Sequence, residues 1–251
     1  MYDVSTRKRA LALVAQGRSL NSVSRQTGIS RSAIQRWLTR LEPVNRTAPC
    51  VRCQDTPQMP EDQAAYAYLL GLYLGDGHII SKPRQHYLSI ACTASWVGLM
   101  DAAEDAMRKV LPWPSVSRLQ RTGCVDVKSY TKHWACMFPQ HGRGKKHERP
   151  IVLEPWQQAI VDAHPWEFIR GLIHSDGCRI TNWTTRLVAG ERKRYEYPRY
   201  CFSNRSADIM RLFTNTLDRV GVDWRQMNTC NISIARKSSV ALMDTHVGPK
   251  H

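Results

Sequence analysis

The chain has 251 residues, 42% of them hydrophobic, with a formal charge of +15 at pH 7 and a pI near 9.8. That length serves one large domain or two or three small ones with an ordinary core, and the surplus of cations points to a polyanionic partner, nucleic acid before membrane. The longest apolar run, around residues 64–74, is too short to cross a bilayer, and the opening MYDVSTRKRALALV lacks the sustained apolar region and cleavage site of a signal peptide, so a cytoplasmic protein with no membrane attachment is expected.

The first forty residues predict three short helices. The first runs from about Thr6 to Gln16 and stops at Gly17; the second covers about Leu20 to Thr27. Gly28 makes a turn, and Ser30 is a good N-cap for a third helix that ends before Pro43. Ala10, Val14, Leu20, Val23, Ile29, Ile34, Trp37 and Leu38 fall at helical spacing and can close one small core. Two helices joined by a glycine turn form a helix-turn-helix, and the unit resembles the homeodomain-like units of transposases and resolvases. Its third helix would be the reader, with Arg31, Ser32, Gln35 and Arg36 near its start and Arg40 further along; Arg and Gln carry donor forks that match guanine and adenine edges. The plainer reading is a solvated face of a small helical bundle, and the basic cluster on this trihelical pattern argues against it.

The stretch PVNRTAPCVRCQDTPQMP, residues 43–60, has four prolines and no periodicity and reads as a linker. It holds the only close cysteine pair among eight cysteines, Cys50 and Cys53. Without a secretory signal, reduced thiols are expected rather than a disulfide framework. A structural zinc site needs four ligands and there is no second Cys-x-x-Cys; His133, Cys136 and His147 are the residues that would complete one, and unliganded thiols are the plainer alternative.

Beyond residue 60 the sequence repeats itself. YLLGLYLGDGHI (68–79) lies over FIRGLIHSDGCRI (168–180), matching Gly71 with Gly171, Asp76-Gly77 with Asp176-Gly177 and Ile80 with Ile180. Each window is followed by a hairpin candidate (HYLSIACT; YPRYCFS) and then by an amphipathic helix, with its apolar stripe on Trp96, Met100, Ala103 and Met107 in one half and on Ile209, Leu212, Phe213, Thr216 and Leu217 in the other. A second strand pair follows in each half, residues 115–130 and 222–236, and then a closing helix. The prediction is an α+β fold: a duplicated αββαββα unit after a small all-α domain, divided as 1–42 (helix-turn-helix), 43–59 (linker), 60–150 (first half) and 151–251 (second half).

Gly71 and Gly75, and likewise Gly171 and Ser175, are four apart and share a helix face, so two helices can approach nearly backbone to backbone. The rest of each helix then packs on its own sheet, which accounts for an apolar surface all round. Such packing brings Asp76 and Asp176 together, each at the negative end of a helix dipole, a repulsion that calls for a cation between them. A hydrated Mg²⁺, or another divalent cation, bound by one carboxylate from each side meets that need. The glycines after the acids are expected to take the left-handed conformation that stops a helix. A single Asp-Gly is usually a plain helix stop; two copies in matched contexts are harder to dismiss.

The paired windows resemble the two motifs of LAGLIDADG homing endonucleases in the form that carries both on one chain, over about residues 60–251. The resemblance implies a saddle of two antiparallel sheets on double-stranded DNA, a chain acting as a monomer, Mg²⁺-dependent double-strand cleavage, and metal binding by Asp76 and Asp176. It also implies a basic residue near each scissile phosphate, for which Lys128 and Lys237 are the candidates. Arg170 and His174 depart from the usual motif and suggest a polar layer beside the second helix. The DNA surface would be the sheets' concave face, with Lys82, Arg84, Arg118 and Arg121 in the first half and Arg186, Arg192, Lys193, Arg194 and Arg199 in the second; the run GRGKKHERP (142–150) reads as a solvated connector. Beside a site-specific endonuclease stands a DNA-binding transcriptional regulator on the same fold without cleavage. An RNA maturase and a zinc-histidine nuclease are the more distant alternatives.

Overall fold

Three short helices, each with an identifiable start, build the N-terminal unit of the computed structural model, which describes residues 2–39, 41, 53, 59–82, 85–248 and 250. The helices are α1 (Val4–Ala15), α2 (Leu20–Thr27) and α3 (Arg31–Thr39). Asp3 caps α1, accepting from the Thr6 amide at 2.6 Å, and Ser19 caps α2. Gly28 closes α2 at φ +69°, and Ser30 accepts from the Ala33 amide at 3.4 Å to start α3. The core holds Ala10, Val23, Ile29, Ile34 and Trp37, with Val14 and Leu20 partly buried against it. Leu38, expected in that core, is exposed, because Trp37 beside it takes the inward position. Arg7 is buried instead, its guanidinium 5.3 Å from the Trp37 ring and donating to the Leu41 carbonyl.

The second unit, residues 50–251, opens with α4 (Gln63–Leu74), capped by Asp62 through the Ala65 amide at 2.8 Å. There follow β1 (Gly77–Lys82), β2 (Gln85–Thr93), α5 (Val97–Val110), β3 (Val116–Arg121), β4 (Cys124–Ser129) and the single turn α6 (Trp134–Met137). The second half begins with α7 (Pro155–Ala163) and α8 (Pro165–Asp176), then β5 (Gly177–Val188), β6 (Glu191–Ser203), α9 (Ala207–Arg219), β7 (Arg225–Asn228), β8 (Asn231–Ile234) and α10 (Lys237–His246). The two sheets have the same antiparallel order, β1-β2-β4-β3 and β5-β6-β8-β7, so the duplication extends to topology. The hairpins differ: β5 and β6 pair from Gly177↔Phe202 out to Val188↔Glu191, closed by Ala189 (φ +51°) and Gly190 (φ +86°), while β1 and β2 end at Lys82↔Gln85. Two successive positive φ angles give the turn that suits the right-handed twist of a hairpin.

One continuous core joins the halves. Tyr66 to Leu74 of α4 are buried all round, as are Phe168, Ile169, Leu172 and Ile173 of α8, and both helices pack with the inner faces of the sheets, Leu88, Ile90 and Val127 on one side and Tyr200, Phe202, Ile232 and Ile234 on the other. Among the described residues no helix is long and apolar enough to cross a membrane.

Candidate active centre

The centre begins at the seam. A Cβ built on Gly71 would sit 2.6 Å from the Phe168 carbonyl oxygen and 2.7 Å from the Leu172 amide, and one on Gly171 would run into the Tyr68 carbonyl and Gly71 Cα. Only glycine permits this backbone contact. The seam continues at Gly75, the C-cap of α4, where an added Cβ would collide with the Ser175 side chain and stand 3.0 Å from Asp176 Oδ2. The Ser175 hydroxyl lies 3.0–3.4 Å from the carbonyls of Leu172, Gly171 and, across the seam, Gly71. Tyr68 adds a polar clasp: the Arg170 guanidinium is 4.3 Å from its ring, and its hydroxyl is 2.9 Å from His174 Nδ1. The Val247 carbonyl, 3.2 Å from Nε2, can only accept, so Nε2 carries a proton; in the neutral imidazole Tyr68 then donates to Nδ1. Arg170 and His174 therefore grip α4 without opening the glycine contact.

The glycines after the acids do something other than stop helices. Gly177 has φ −106° and ψ 173°, and Gly77 and Gly177 are the first residues of β1 and β5. The expectation of a left-handed cap is corrected by the room they occupy: a Cβ would meet Ile90 Cδ1 at 2.8 Å at Gly77 and Ile173 Cδ1 at 2.7 Å at Gly177.

Asp76 and Asp176 interact across the seam. Although Asp76 retains solvent contact, the crowding of its carboxyl and the neighbouring Asp176 charge raise its pKa to about 6, against the pull of Lys250 and Lys146. Burial also raises Asp176, opposed first by the Asn204 side-chain amide, which donates to Asp176 Oδ2 at 2.6 Å, and then by the same two lysines. Asn204 is fixed in turn, its Oδ1 accepting from the Ser206 amide at 2.8 Å.

The lysines at this centre are not the ones expected. Lys146 Nζ donates to the carbonyls of Leu74 (3.1 Å), Gly75 (2.9 Å) and Gly77 (2.6 Å) and lies against that of Tyr73. Lys250 Nζ does the same for the second half, donating to the carbonyls of Ser175 (3.1 Å) and Gly177 (2.5 Å). Each ammonium caps the carbonyl-rich end of a motif helix, the position a cation favours. Burial lowers both, Lys146 to about 8, while the two carboxylates pull the other way. Lys128 is buried, with Nζ 3.2 Å from Asp126 Oδ2 and 5.0 Å from the Tyr87 ring. The register His78↔Ser89↔Lys128 corresponds to Cys178↔Cys201↔Ser233, so its counterpart in the second half is Ser233. Lys237 is exposed in the first turn of α10, past the end of the sheet. The run 142–150, expected to be a solvated connector, delivers Lys146 to the end of α4.

Strand parity sorts the other basic candidates. Residues directly opposite each other share a face, and Gly77, Ile90 and Val127 face the helices, so Arg118, opposite Val127, does too; it is paired with Asp101 (2.5 Å) and Glu104 (2.7 Å) of α5 rather than on the outer face. Lys82 and Arg121 belong to the outer set, Arg121 2.6 Å from Asp126. In the long hairpin Arg186, Lys193 and Arg199 share the outer face, whereas Arg192 and Arg194 fall on the other, Arg194 lying 5.0 Å from the Trp183 ring. Arg31, Ser32, Gln35 and Arg36 are exposed on α3, and Arg31 is 2.9 Å from Asn21 Oδ1. Arg40, Arg84 and Cys50 lie outside the described residues. Cys53, His133 and Cys136 come together, while His147 lies apart beside Glu148.

Two αββαββα halves of identical sheet order meet at a glycine seam that ends in paired acids. The second unit has the LAGLIDADG fold. Among solved structures this chain is similar to the LAGLIDADG meganuclease I-AabMI bound to uncleaved DNA (11% identity, 72% of this chain and 82% of that one, TM-score 0.47). It is also similar to I-DmoI in complex with DNA and Mn (11%, 75% and 98%, TM-score 0.49) and to the N-terminal LAGLIDADG domain of DUF199/WhiA (11%, 75% and 83%, TM-score 0.44). Residues 1–43 match the model of a homeodomain-like domain. No curated protein matches the chain in sequence.

Proposed function

We propose that this chain is a site-specific endonuclease that makes metal-dependent double-strand cuts in DNA, with the helix-turn-helix unit adding a second grip on the duplex. The observation that carries this reading is the pairing of Asp76 with Asp176 across the seam, each helix end attended by its own lysine. The donor set suits a hard divalent cation such as Mg²⁺: carboxylate oxygens, one of them on a group whose raised pKa an added positive charge would pull back down. Asp76 and Asp176 would hold the ion, which when bound would make a coordinated water more acidic and offset charge on the attacked phosphate. Lys146 and Lys250, one in each half, put positive charge beside the two acids, where the charge of an attacked phosphate would be offset. Asn204 keeps Asp176 oriented. The net +15 supplies the salt-dependent part of DNA affinity, and Arg31, Ser32, Gln35 and Arg36 are the side chains that would enter a groove.

The test is to incubate the protein with a plasmid library and Mg²⁺ and to sequence the ends. Defined cuts are expected from the wild type, and Asp76→Asn or Asp176→Asn should abolish them while binding survives. One observation favours the second reading, a DNA-binding regulator that does not cleave: Lys146 and Lys250 already hold the Gly75 and Ser175 carbonyls and balance the two carboxylates. Tight binding with no cuts under any divalent metal would select it.

A further inference from the structure

Away from the acid pair, three side chains distant in sequence converge on a different chemistry. Cys53, His133 and Cys136 present ligand atoms that all lie within 4.8 Å of one another, and Cys53 Sγ is 3.2 Å from His133 Nδ1. His133 is buried and both cysteines are half-buried. We propose that these residues bind a structural zinc ion. Donor type, geometry and topology all favour such a site, independently of the nuclease reading.

Two thiols and an imidazole are the donor set that zinc selects, and hard cations avoid sulfur. Tetrahedral zinc with its usual bond lengths separates neighbouring sulfur and nitrogen donors by about 3.5–3.8 Å, so these three need only small adjustments to share an ion. Backbone geometry supports the placement. His133 caps α6, its carbonyl accepting from the Cys136 amide at 2.9 Å, so His133 and Cys136, three apart, project from the same side of that turn. A four-residue helix does not hold itself together in water, and a metal bound at both its ends would fix it. Cys53 comes from the other end of an 80-residue separation. Binding there would fasten the segment that leads into α4 to the closing turn of the first half, and a clip across so long a loop removes much chain entropy from the unfolded state. On binding, each cysteine gives up its thiol proton and ligates as thiolate, with His133 ligating as neutral imidazole. Cys50 lies outside the described residues; the Cys-x-x-Cys spacing makes its thiol the fourth donor to test.

The experiment uses the full chain purified without chelator. Elemental analysis should find one zinc per chain, released to a colorimetric dye when a mercurial blocks the thiols. Cobalt exchanged into the protein should show the intense visible bands of tetrahedral coordination together with thiolate-to-cobalt charge transfer. Cys53→Ser, Cys136→Ser, His133→Asn and Cys50→Ser should each lose zinc and those bands, whereas Cys230→Ser, in the β7–β8 turn, should keep both. If ligand variants fail to fold, the metal content and cobalt spectrum of the wild type still decide. A folded wild type that carries no zinc and takes up no tetrahedral cobalt overturns the proposal. So does zinc that survives all three substitutions at Cys53, His133 and Cys136, or a Cys53–Cys136 disulfide found by peptide mapping of the native chain.

Discussion

Gly71→Ala is the most direct challenge to the seam. The added methyl carbon would stand 2.6 Å from the Phe168 carbonyl oxygen, 2.7 Å from the Leu172 amide and 2.8 Å from the Gly171 carbonyl carbon. Ordinary contact begins at 3.4 Å, so the shortfall is roughly 0.8 Å against backbone that no rotamer can move aside, and α8 must back away. Overpacking of this kind costs about 1–3 kcal/mol, and the rigid opposing surface puts this site at the upper end. Alanine's better helix propensity returns about 1 kcal/mol. The expected net loss is about 2 kcal/mol, on the order of thirtyfold in the folding equilibrium. Urea unfolding followed by tryptophan emission measures it, since every tryptophan except Trp37 lies in the second unit. Gly142→Ala is the control, because its added carbon would come no nearer than 3.5 Å to the flexible Arg149 side chain. A Gly71→Ala protein as stable as the wild type would refute the backbone contact and, with it, the reason the two acids meet.

Three further outcomes can be checked independently. Asp76 is raised in the folded state from 3.8 to about 6, so the folded protein holds that proton more tightly and wild-type stability falls as pH rises from about 4 to about 6. The full shift converts to about 3 kcal/mol; solvent contact at Asp76 reduces this to about 1–2 kcal/mol, which Asp76→Asn should regain at pH 8 and not below pH 4, read from denaturation at both. Lys146→Met strips an ammonium from the end of α4 and should cost about 2 kcal/mol; because Lys146 lowers Asp76, the variant should also raise the Asp76 pKa above about 6 in a carboxyl NMR titration. If the outer face of the long hairpin meets duplex, Arg186→Ala with Lys193→Ala should reduce the salt dependence of DNA binding by about two phosphate contacts, a change of about 1.8 in the log–log slope. Arg192→Ala with Arg194→Ala should leave it nearly unchanged, and equal effects from both pairs would refute the assignment of faces.

What was legible in the sequence is what chain-local physics determines. Gly17, Gly28 and Ser30 announce stops, a turn and a cap by residue type alone, and the N-terminal helices follow from them. The duplication was visible because Gly71 and Gly171 have no substitute at a backbone contact. What escaped depends on phase and on distance. Arg118 and Arg121 sit three apart on one strand, and only the register Arg118↔Val127 reveals that one faces the helices and the other faces away; a slip of a single residue would exchange them. Lys146 looked solvated because its neighbours are charged, and the carbonyls that hold it exist only once α4 has formed and ended. The signal that points to it is symmetry: Lys146 and Lys250 each come after the last α-helix of their own half, α6 and α10.

That symmetry has a limit with a consequence of its own. The halves agree at the helix ends, where Asp76 with Lys146 is answered by Asp176 with Lys250. They differ over most of the outer faces, Ile80 and Ile180 aside. The first half sets Arg121 and Lys128 around the buried Asp126, while the row of Lys128 is matched in the second by Cys178, Cys201 and Ser233, and β5 is twice as long as β1 (12 residues against 6). Uniform treatment of the two halves is therefore demanded only where the acids must meet, since any change at the seam is felt by both helices at once. The sheet faces carry no such mutual constraint and have diverged in charge and in length. On the proposed reading this division separates chemistry from address: the shared centre fixes what is done, and two unlike faces require the two sides of a target to differ.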